Sequence, residues 1–125
     1  NGMKIVIASK EAQTDINLLN ELCIANNVDI IQTTPSRMQA LIFNGSSLPF
    51  IKNMKHILIG GEPFPSKLLS NLNSLTTAKI YNMYGPTETA VWSSLKELTS
   101  CDNITIGKPI ANTQIYILNK NKKLL

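Results

Sequence analysis

The sequence predicts an α/β domain with a mainly parallel sheet, flanking helices and a short β-rich C-terminal part. Runs of β-branched residues alternate with stretches whose apolar residues recur every three or four positions, and this alternation occurs three times before residue 84. Such a pattern is typical of strands joined by crossover helices. The chain has the length of one domain, 125 residues, and its 43% hydrophobic and 16% charged residues are a globular balance.

Five strands are expected, each a short apolar run bounded by turn residues. Residues 91–98 are also expected to be extended. The five strands are placed at residues 4–9 (KIVIAS), 28–34 (VDIIQTT), 56–62 (HILIGGE), 78–84 (AKIYNMY) and 114–119 (QIYILN).

Three helices are expected between these strands. The first is capped by Thr14 or Asp15 and ends at the Asn pair 26–27, while Pro35 and Pro65 stand at the first turns of the other two. Residues 44–50 (NGSSLPF) are expected to form a loop. The inward-facing positions of the helices are Ile16, Leu19, Leu22 and Cys23, then Met38, Leu41 and Ile42, then Leu68, Leu69 and Leu72.

Polar or glycine-rich segments follow three of the predicted strands. They are residues 32–35 (QTTP), 60–65 (GGEPFP) and 84–88 (YGPTE). Ligands of parallel α/β sheets bind beyond the carboxyl ends of the strands. The three segments are therefore expected to converge at one edge of the sheet and to form a ligand site.

Each candidate in these segments has a functional and a structural interpretation. The glycine pair 60–61 can bring bare backbone close to a flat ligand, or form a tight strand-to-helix turn. Tyr84 can stack on a ring or lie at the edge of the core. Thr87 and Glu88 suit a phosphate oxygen and Mg²⁺, or the cap and first turn of a helix.

Composition excludes several other classes of function. The formal charge is +4, but the lysines are scattered and no basic stripe interleaves with aromatic residues, so nucleic acid is not an expected partner. With His56 as the single histidine, neither a multi-histidine metal site nor a catalytic triad can be assembled; His56 itself is expected to be structural or exposed. Neither a Gly-rich Lys loop nor GxGxxG occurs.

The cysteines and the hydropathy pattern indicate the cellular context. Cys23 and Cys101 are far apart in the sequence, and Cys23 is expected to be a buried free thiol. Apolar runs stay well below the 18 residues of a membrane span, so a membrane is not expected either. These features fit a reducing cytoplasm.

Four motifs, in order, resemble the adenylation domains of nonribosomal peptide synthetases, within the adenylate-forming (AMP-binding) enzymes. Residues 82–88 match the NxYGPTE core motif, in which Pro86 narrows the match towards amino-acid activators. The other matches are residues 30–42 (IIQTTPSRMQALI), 58–65 (LIGGEPFP) and 106–119 (IGKPIANTQIYILN).

The resemblance implies that residues 1–125 are one subdomain of the family's large N-terminal lobe. The upstream phosphate loop, the Asp that holds the substrate amino group, the ribose-binding Asp and the catalytic Lys of the C-terminal lobe have no counterpart in this sequence. The chain is therefore expected to be a fragment that is inactive by itself. Such domains form an aminoacyl-AMP from an amino acid and Mg-ATP, then pass the acyl group to the phosphopantetheine thiol of a carrier-protein domain.

The resemblance also implies a set of ATP-binding residues. Tyr84 would stack on adenine, and the Asn82 side chain and the Met83 carbonyl would take its amino group. Thr87 would bind the α-phosphate and Glu88 would ligate Mg²⁺, the two catalytic assignments. The complete nucleotide set is Gly61, Glu62, Pro63, Asn82, Met83, Tyr84, Gly85 and Thr87, in which residues 61–63 cover the second face of adenine.

The amino-acid pocket implied by the resemblance has a glycine-type signature, with Trp92 at its floor. One methyl group is worth only about 1–3 kcal/mol, so attraction hardly separates glycine from alanine, whereas a filled pocket excludes any Cβ. The alternative is that Trp92 is an ordinary core aromatic. The pocket residues are Gln32, Leu58, Gly60, Met83, Val91 and Trp92.

Two alternatives to a glycine-activating domain stay open at this point. A D-alanyl carrier-protein ligase also carries YGPTE, and a non-catalytic interaction module could retain the same fold. ATP–pyrophosphate exchange with glycine and with D-alanine distinguishes the carrier-protein ligase from a glycine-activating domain. Titration with a nucleotide distinguishes the non-catalytic interaction module.

Overall fold

The structure, a computed structural model, describes residues 2–44, 49–89, 91–99 and 103–125. The helices in chain order are α1 (Lys10–Thr14), α2 (Ile16–Ala25), α3 (Pro35–Asn44), α4 (Pro49–Asn53) and α5 (Ser66–Leu75), and a 3-10 helix spans Thr87–Thr89. The strands are β1 (Ile30–Thr33), β2 (His56–Gly60), β3 (Lys79–Tyr84), β4 (Ser94–Glu97) and β5 (Lys108–Pro109).

The strands form one sheet in the order β1-β2-β3-β4-β5. The first three strands are parallel, with α3 and α4 between β1 and β2, and α5 between β2 and β3. The last two pair antiparallel and form the β-rich C-terminal part. The predicted fold class, a mainly parallel α/β sheet with flanking helices, is confirmed.

The caps of the first helices follow from local side-chain chemistry. Asp15, one of the two expected caps, accepts hydrogen bonds from the backbone N–H groups of Asn17 at 2.8 Å and Leu18 at 3.2 Å and starts α2. Thr14 instead ends α1, a short helix that the sequence patterns did not reveal. α2 stops at Asn26, and Asn27 adopts φ 51°, a left-handed conformation that Asn tolerates.

The core lies between the helices and one face of the sheet. Met38 and Leu41 of α3 and Leu68, Leu69 and Leu72 of α5 are buried there, as their spacing predicted. They pack in one cluster with the sheet residues Ile57, Ile59 and Ile80. Pro65 caps α5 rather than belonging to its first turn, because that helix begins at Ser66.

Two predicted strands are wrong. Residues 4–9 form no strand, and Ile5 and Ile7 are 83% and 87% exposed. Residues 114–119 form no strand either; Leu118 makes only an isolated bridge to Leu124. A β-branched run becomes a strand only when another strand offers it hydrogen bonds, and the described part of the chain offers these two runs no such ladder.

Other expectations need smaller corrections. β2 ends at Gly60, two residues earlier than predicted. Of the predicted loop 44–50, residues 45–48 lie outside the described residues, Asn44 belongs to α3, and Pro49 and the buried Phe50 belong to α4. Cys23 is a buried free thiol, as expected, and burial raises its pKa; Cys101 lies outside the described residues. His56 is half-buried on β2, and the centroid of its ring lies 5.8 Å from the centroid of the Tyr81 ring.

The second face of the sheet carries a different set of side chains. Side chains alternate along a strand, and paired residues of neighbouring strands point to the same side. Gln32 pairs with Leu58, and Gly60 pairs with Met83. These positions alternate with the buried Ile57 and Ile59, so all four lie on the face turned away from the core helices. None of the helices in the described residues is long and apolar enough to cross a membrane.

Candidate functional site

A cavity of about 560 Å³ opens beside the carboxyl ends of β2 and β3. The expected convergence of strand ends is therefore present for the segments after these two strands. A second cavity of about 730 Å³, between α3 and α5, holds none of the predicted site residues. The lining of the first cavity is Gly61, Glu62, Pro63, Phe64, Asn82, Met83, Tyr84, Gly85, Ile104, Thr105 and Ile106.

The lining unites the predicted nucleotide set with the exception of Thr87. It also includes Phe64 and residues 104–106, which the sequence reasoning did not assign. The spacing of the predicted site residues does not point to them, although the motif matched at residues 106–119 begins at the cavity wall. Three separate chain segments thus close one pocket.

Asn82 connects two of these segments. It is 8% exposed, and its Nδ2 donates a hydrogen bond of 2.8 Å to the Thr105 carbonyl oxygen. This bond holds residues 104–106 against β3 and leaves Oδ1 as an acceptor. The buried amide therefore has a structural partner on one side and free acceptor capacity on the other.

Tyr84 stands at the end of β3, at the mouth of the cavity. The residue is 44% exposed, and its carbonyl accepts a 2.8 Å hydrogen bond from the Ser93 backbone N–H. The backbone is thus fixed while the ring remains accessible. This arrangement suits stacking on a planar ligand better than the alternative of a core-edge ring.

The glycine pair at the end of β2, Gly60 and Gly61, is required for two different reasons. Gly61 has φ +89°, a left-handed conformation that strains residues with a Cβ. At Gly60 a Cβ would stand 2.6 Å from Cη2 and Cζ3 of Trp92, and closer still to the Met83 carbonyl oxygen. The flat group that lies against the bare backbone of Gly60 is therefore the Trp92 indole.

Trp92 lies against the face of the sheet that carries the other predicted pocket residues. Gln32, Leu58, Gly60 and Met83 share that face, and Trp92 is half-buried over Gly60 without belonging to the buried apolar cluster of the core. Trp92 is therefore not one of the buried aromatic residues of the core cluster.

Val91 departs from the rest of the pocket set. Its side chain is 63% exposed, and its φ of +81° is rare for a β-branched residue. The turn that contains it packs tightly, since a Cβ on Gly85 would stand 2.6 Å from Trp92 Cα. The backbone of Val91 sets the position of Trp92.

Thr87 and Glu88 are exposed on the short 3-10 helix that follows Gly85 and Pro86. Thr87 lies inside this helix rather than at its cap, and the turn is closed by Thr89, whose N–H and hydroxyl each donate to the Pro86 carbonyl at 3.0 Å. Both side chains are therefore available to a ligand. Among residues 2–44, 49–89, 91–99 and 103–125, no three His, Cys, Asp or Glu side chains form a group able to hold a metal.

Glu62 lines the cavity, but its carboxylate points to the start of α3. Oε2 accepts a 3.1 Å hydrogen bond from the Ser36 backbone N–H and a short one from the Ser36 hydroxyl. These two bonds hold the pKa of Glu62 below its ordinary value, and the bond from the Ser36 hydroxyl contributes more than the bond from the backbone N–H. Through this contact the segment after β1 is joined to the site.

A cavity at the carboxyl ends of parallel strands is the usual position of a small-ligand site in an α/β domain. The profile of the AMP-binding enzymes matches residues 1–125, and the chain belongs to the AMP-binding enzyme family. Within that family the chain is similar to nonribosomal peptide synthetases.

Two relatives and two solved structures show this similarity. The dimodular nonribosomal peptide synthase of Bacillus subtilis is 38% identical over 121 residues, 95% of this chain and 5% of the relative. Tyrocidine synthase 3 of Brevibacillus parabrevis is 33% identical over 126 residues, 99% of this chain and 2% of the relative. This chain thus spans only a small part of each.

Among solved structures, a holo four-domain nonribosomal peptide synthetase bound to AMP and glycine superposes with a TM-score of 0.79 at 30% identity, covering 94% of this chain and 9% of that one. A synthetase protein containing adenylation and PCP domains superposes with a TM-score of 0.75 at 21% identity, covering 88% of this chain and 23% of that one. The second likeness shows the fold alone.

Proposed function

We propose that this chain is part of an adenylation domain that converts an amino acid, glycine, and Mg-ATP into an aminoacyl-AMP. The aminoacyl group then passes to the phosphopantetheine thiol of a carrier-protein domain. The observation that carries the proposal is the cavity that unites residues 61–63 with residues 82–85, in a chain of the AMP-binding family. We place the reaction in the cytoplasm, which the buried free thiol of Cys23 supports.

The cavity suits an adenine ring. Its volume of about 560 Å³ lies in the range of small-molecule sites. In the proposal Tyr84 stacks on one face of the ring and residues 61–63 cover the other. Asn82 Oδ1 and the Met83 carbonyl accept hydrogen bonds from the adenine amino group, consistent with the donation of Asn82 Nδ2 to Thr105.

The exposed turn after Gly85 suits the phosphates. The Thr87 hydroxyl donates to an α-phosphate oxygen, and the Glu88 carboxylate is the oxygen ligand that Mg²⁺ prefers. When bound, Mg²⁺ neutralises phosphate charge. The substrate carboxylate attacks the α-phosphorus in line and pyrophosphate leaves, so the part of the residues is to position the groups and balance their charge.

The proposed choice of glycine rests on the packing of Trp92. The indole already lies so close to Gly60 that a single added carbon would clash with it. A side chain on the substrate meets the same ring, whereas glycine offers no Cβ. The four-domain synthetase of similar structure is bound to AMP and glycine, which supports this substrate.

The proposed partners are the small C-terminal lobe of the same domain and a carrier domain. The similarity of this chain to multidomain nonribosomal peptide synthetases supports the carrier domain. Since this chain covers 9% of the four-domain relative, the assay requires the intact adenylation domain that contains these residues.

Amino-acid-dependent ATP–pyrophosphate exchange tests the proposal. We expect exchange with glycine above that with L-alanine, D-alanine, leucine or phenylalanine, and we expect Trp92→Ala to shift the preference towards alanine or serine. Phe43→Ala, which truncates an aromatic side chain that is 89% exposed, is the control and should leave the preference unchanged. Selectivity for a large side chain would refute the glycine assignment, and a preference for D-alanine would indicate the carrier-protein ligase instead.

A further inference from the structure

One carboxylate ties the loop after β2 to the first turn of α3. Glu62 lies 26 positions from Ser36 in the sequence, yet its Oε2 accepts bonds from both the Ser36 N–H, at 3.1 Å, and the Ser36 hydroxyl. α3 begins at Pro35, so the N–H of Ser36 has no partner within its own helix. Glu62 supplies, from another strand end, the bond that a capping side chain supplies locally.

The surroundings favour an ionised Glu62 in this position. The first turn of a helix carries partial positive charge, which stabilises a carboxylate. Thr34 completes the turn, because its hydroxyl accepts a 3.3 Å bond from the Arg37 N–H. The Thr34 methyl carbon is also the nearest atom to the Cβ position of Gly61, at 3.8 Å. The loop and the helix start therefore lie side by side.

The contact between Glu62 and Ser36 lies between the loop that lines the cavity and the strand that carries part of the proposed amino-acid pocket. Gly61 and Pro63, the neighbours of Glu62, line the cavity, and Gly61 has no side chain with which to anchor the loop. On the other side, Gln32 at the end of β1 belongs to the proposed amino-acid pocket. The carboxylate bridges the two strand ends.

We infer that Glu62 is a positioning residue: by bonding Ser36, its carboxylate holds the loop of Gly61 and Pro63 against the nucleotide, and that carboxylate does not itself contact ATP. The inference rests on the proposed function, since it needs a nucleotide in the cavity. It differs from the sequence-based expectation, in which Glu62 covers adenine directly. The two roles of Glu62, positioning the loop or contacting adenine, predict different effects of the Ser36 substitution alone and in combination with the Glu62 substitution.

The test is ATP–pyrophosphate exchange by the intact domain with Glu62→Ala, Ser36→Ala and the double variant. We expect the KM for ATP to rise on the order of fivefold in Glu62→Ala, with kcat changed by less than about twofold, because a hydrogen bond to a charged group is lost while the reacting atoms are untouched. Ser36→Ala should move the same KM in the same direction. The double variant should be no worse than Glu62→Ala, since Ser36→Ala removes only the hydroxyl bond of a contact that Glu62→Ala removes entirely.

Two further variants separate positioning from general stability. Glu62→Gln keeps an acceptor oxygen and should restore part of the KM. Asp15 caps α2, because its Oδ1 accepts a hydrogen bond from the Asn17 N–H at 2.8 Å, and it does not line the cavity. Asp15→Ala removes this cap. It should lower the melting temperature and leave the KM for ATP unchanged.

Direct contact of the Glu62 carboxylate with ATP would appear as an unchanged KM for ATP in Ser36→Ala beside a raised KM in Glu62→Ala, or as a double variant worse than Glu62→Ala; either result overturns the inference. An active wild type with an unchanged KM in Glu62→Ala overturns it as well. If the wild type shows no exchange but binds ATP in calorimetry, the proposed reaction fails, and the same variants decide the inference through the Kd for ATP. A wild type that binds no ATP overturns both.

Discussion

Gly60→Ala is the substitution that most directly probes the pocket floor. A Cβ at this position would stand 2.6 Å from Cη2 and Cζ3 of Trp92, whereas carbon atoms pack at about 3.5–4.0 Å. The indole therefore has to move by about 1 Å. The Met83 carbonyl is closer still, and it cannot withdraw without disturbing the parallel pairing of β2 with β3.

Overpacking of this kind costs about 1–3 kcal/mol. Because the added Cβ meets both a ring and a backbone atom, we expect Gly60→Ala to lower the free energy of unfolding by about 3 kcal/mol. Trp92 is the only tryptophan of the chain, so its fluorescence reports the displacement directly. Urea unfolding of the 125-residue chain, followed by this emission, measures both effects in one experiment. We expect a lower midpoint and a changed native emission maximum.

Gly61→Ala is the matched control for this experiment. Its φ of +89° makes a side chain unfavourable, but the nearest atom to the added Cβ is 3.8 Å away. We expect a cost of about 1–2 kcal/mol from the backbone conformation alone, with the native Trp92 emission unchanged. A loss below about 0.5 kcal/mol in Gly60→Ala, together with unchanged emission, would show that the indole does not rest on Gly60.

Two other predictions concern the cavity wall and the loop. Asn82→Ala leaves the Thr105 carbonyl without its donor and should cost about 1–3 kcal/mol in urea unfolding, whereas the exposed Asn73→Ala should change little; equal effects would contradict the buried bond. The pKa of Glu62 is lowered from 4.5, so its stabilising contact is complete above pH 4.5 and is lost as the pH falls through the lower folded value. The NMR shift of the Ser36 amide should follow that titration with a midpoint below 4.5 and should be flat in Glu62→Gln, and a midpoint at or above 4.5 would contradict the contact.

Local patterns predicted most of the fold. The helices around Cys23, Met38 and Leu68 and the three parallel strands follow from periodicity and turn residues, which act over a few positions. The runs at residues 4–9 and 114–119 have equally good strand patterns but form no strands. Whether a run pairs depends on a neighbour from elsewhere in the chain, and periodicity carries no information about that neighbour.

The same division applies to the candidate site. The motif residues 82–85 and 61–63 were found in the sequence and do line one cavity. Residues 104–106 were missed, because they reach the cavity through the hydrogen bond between Asn82 and Thr105, which are 23 positions apart. A contact of that separation leaves no trace in the spacing of either segment.

The sequence by itself determined the fold class, the family to which the motifs point and the identity of the residues at the strand ends. Only the tertiary structure decided which contacts the side chains of those residues make. It placed Trp92 on Gly60 and away from the core, and it turned the Glu62 carboxylate towards Ser36. The physical reason is that residue type and periodicity act locally, whereas packing and hydrogen bonding are decided by segments that only folding brings together.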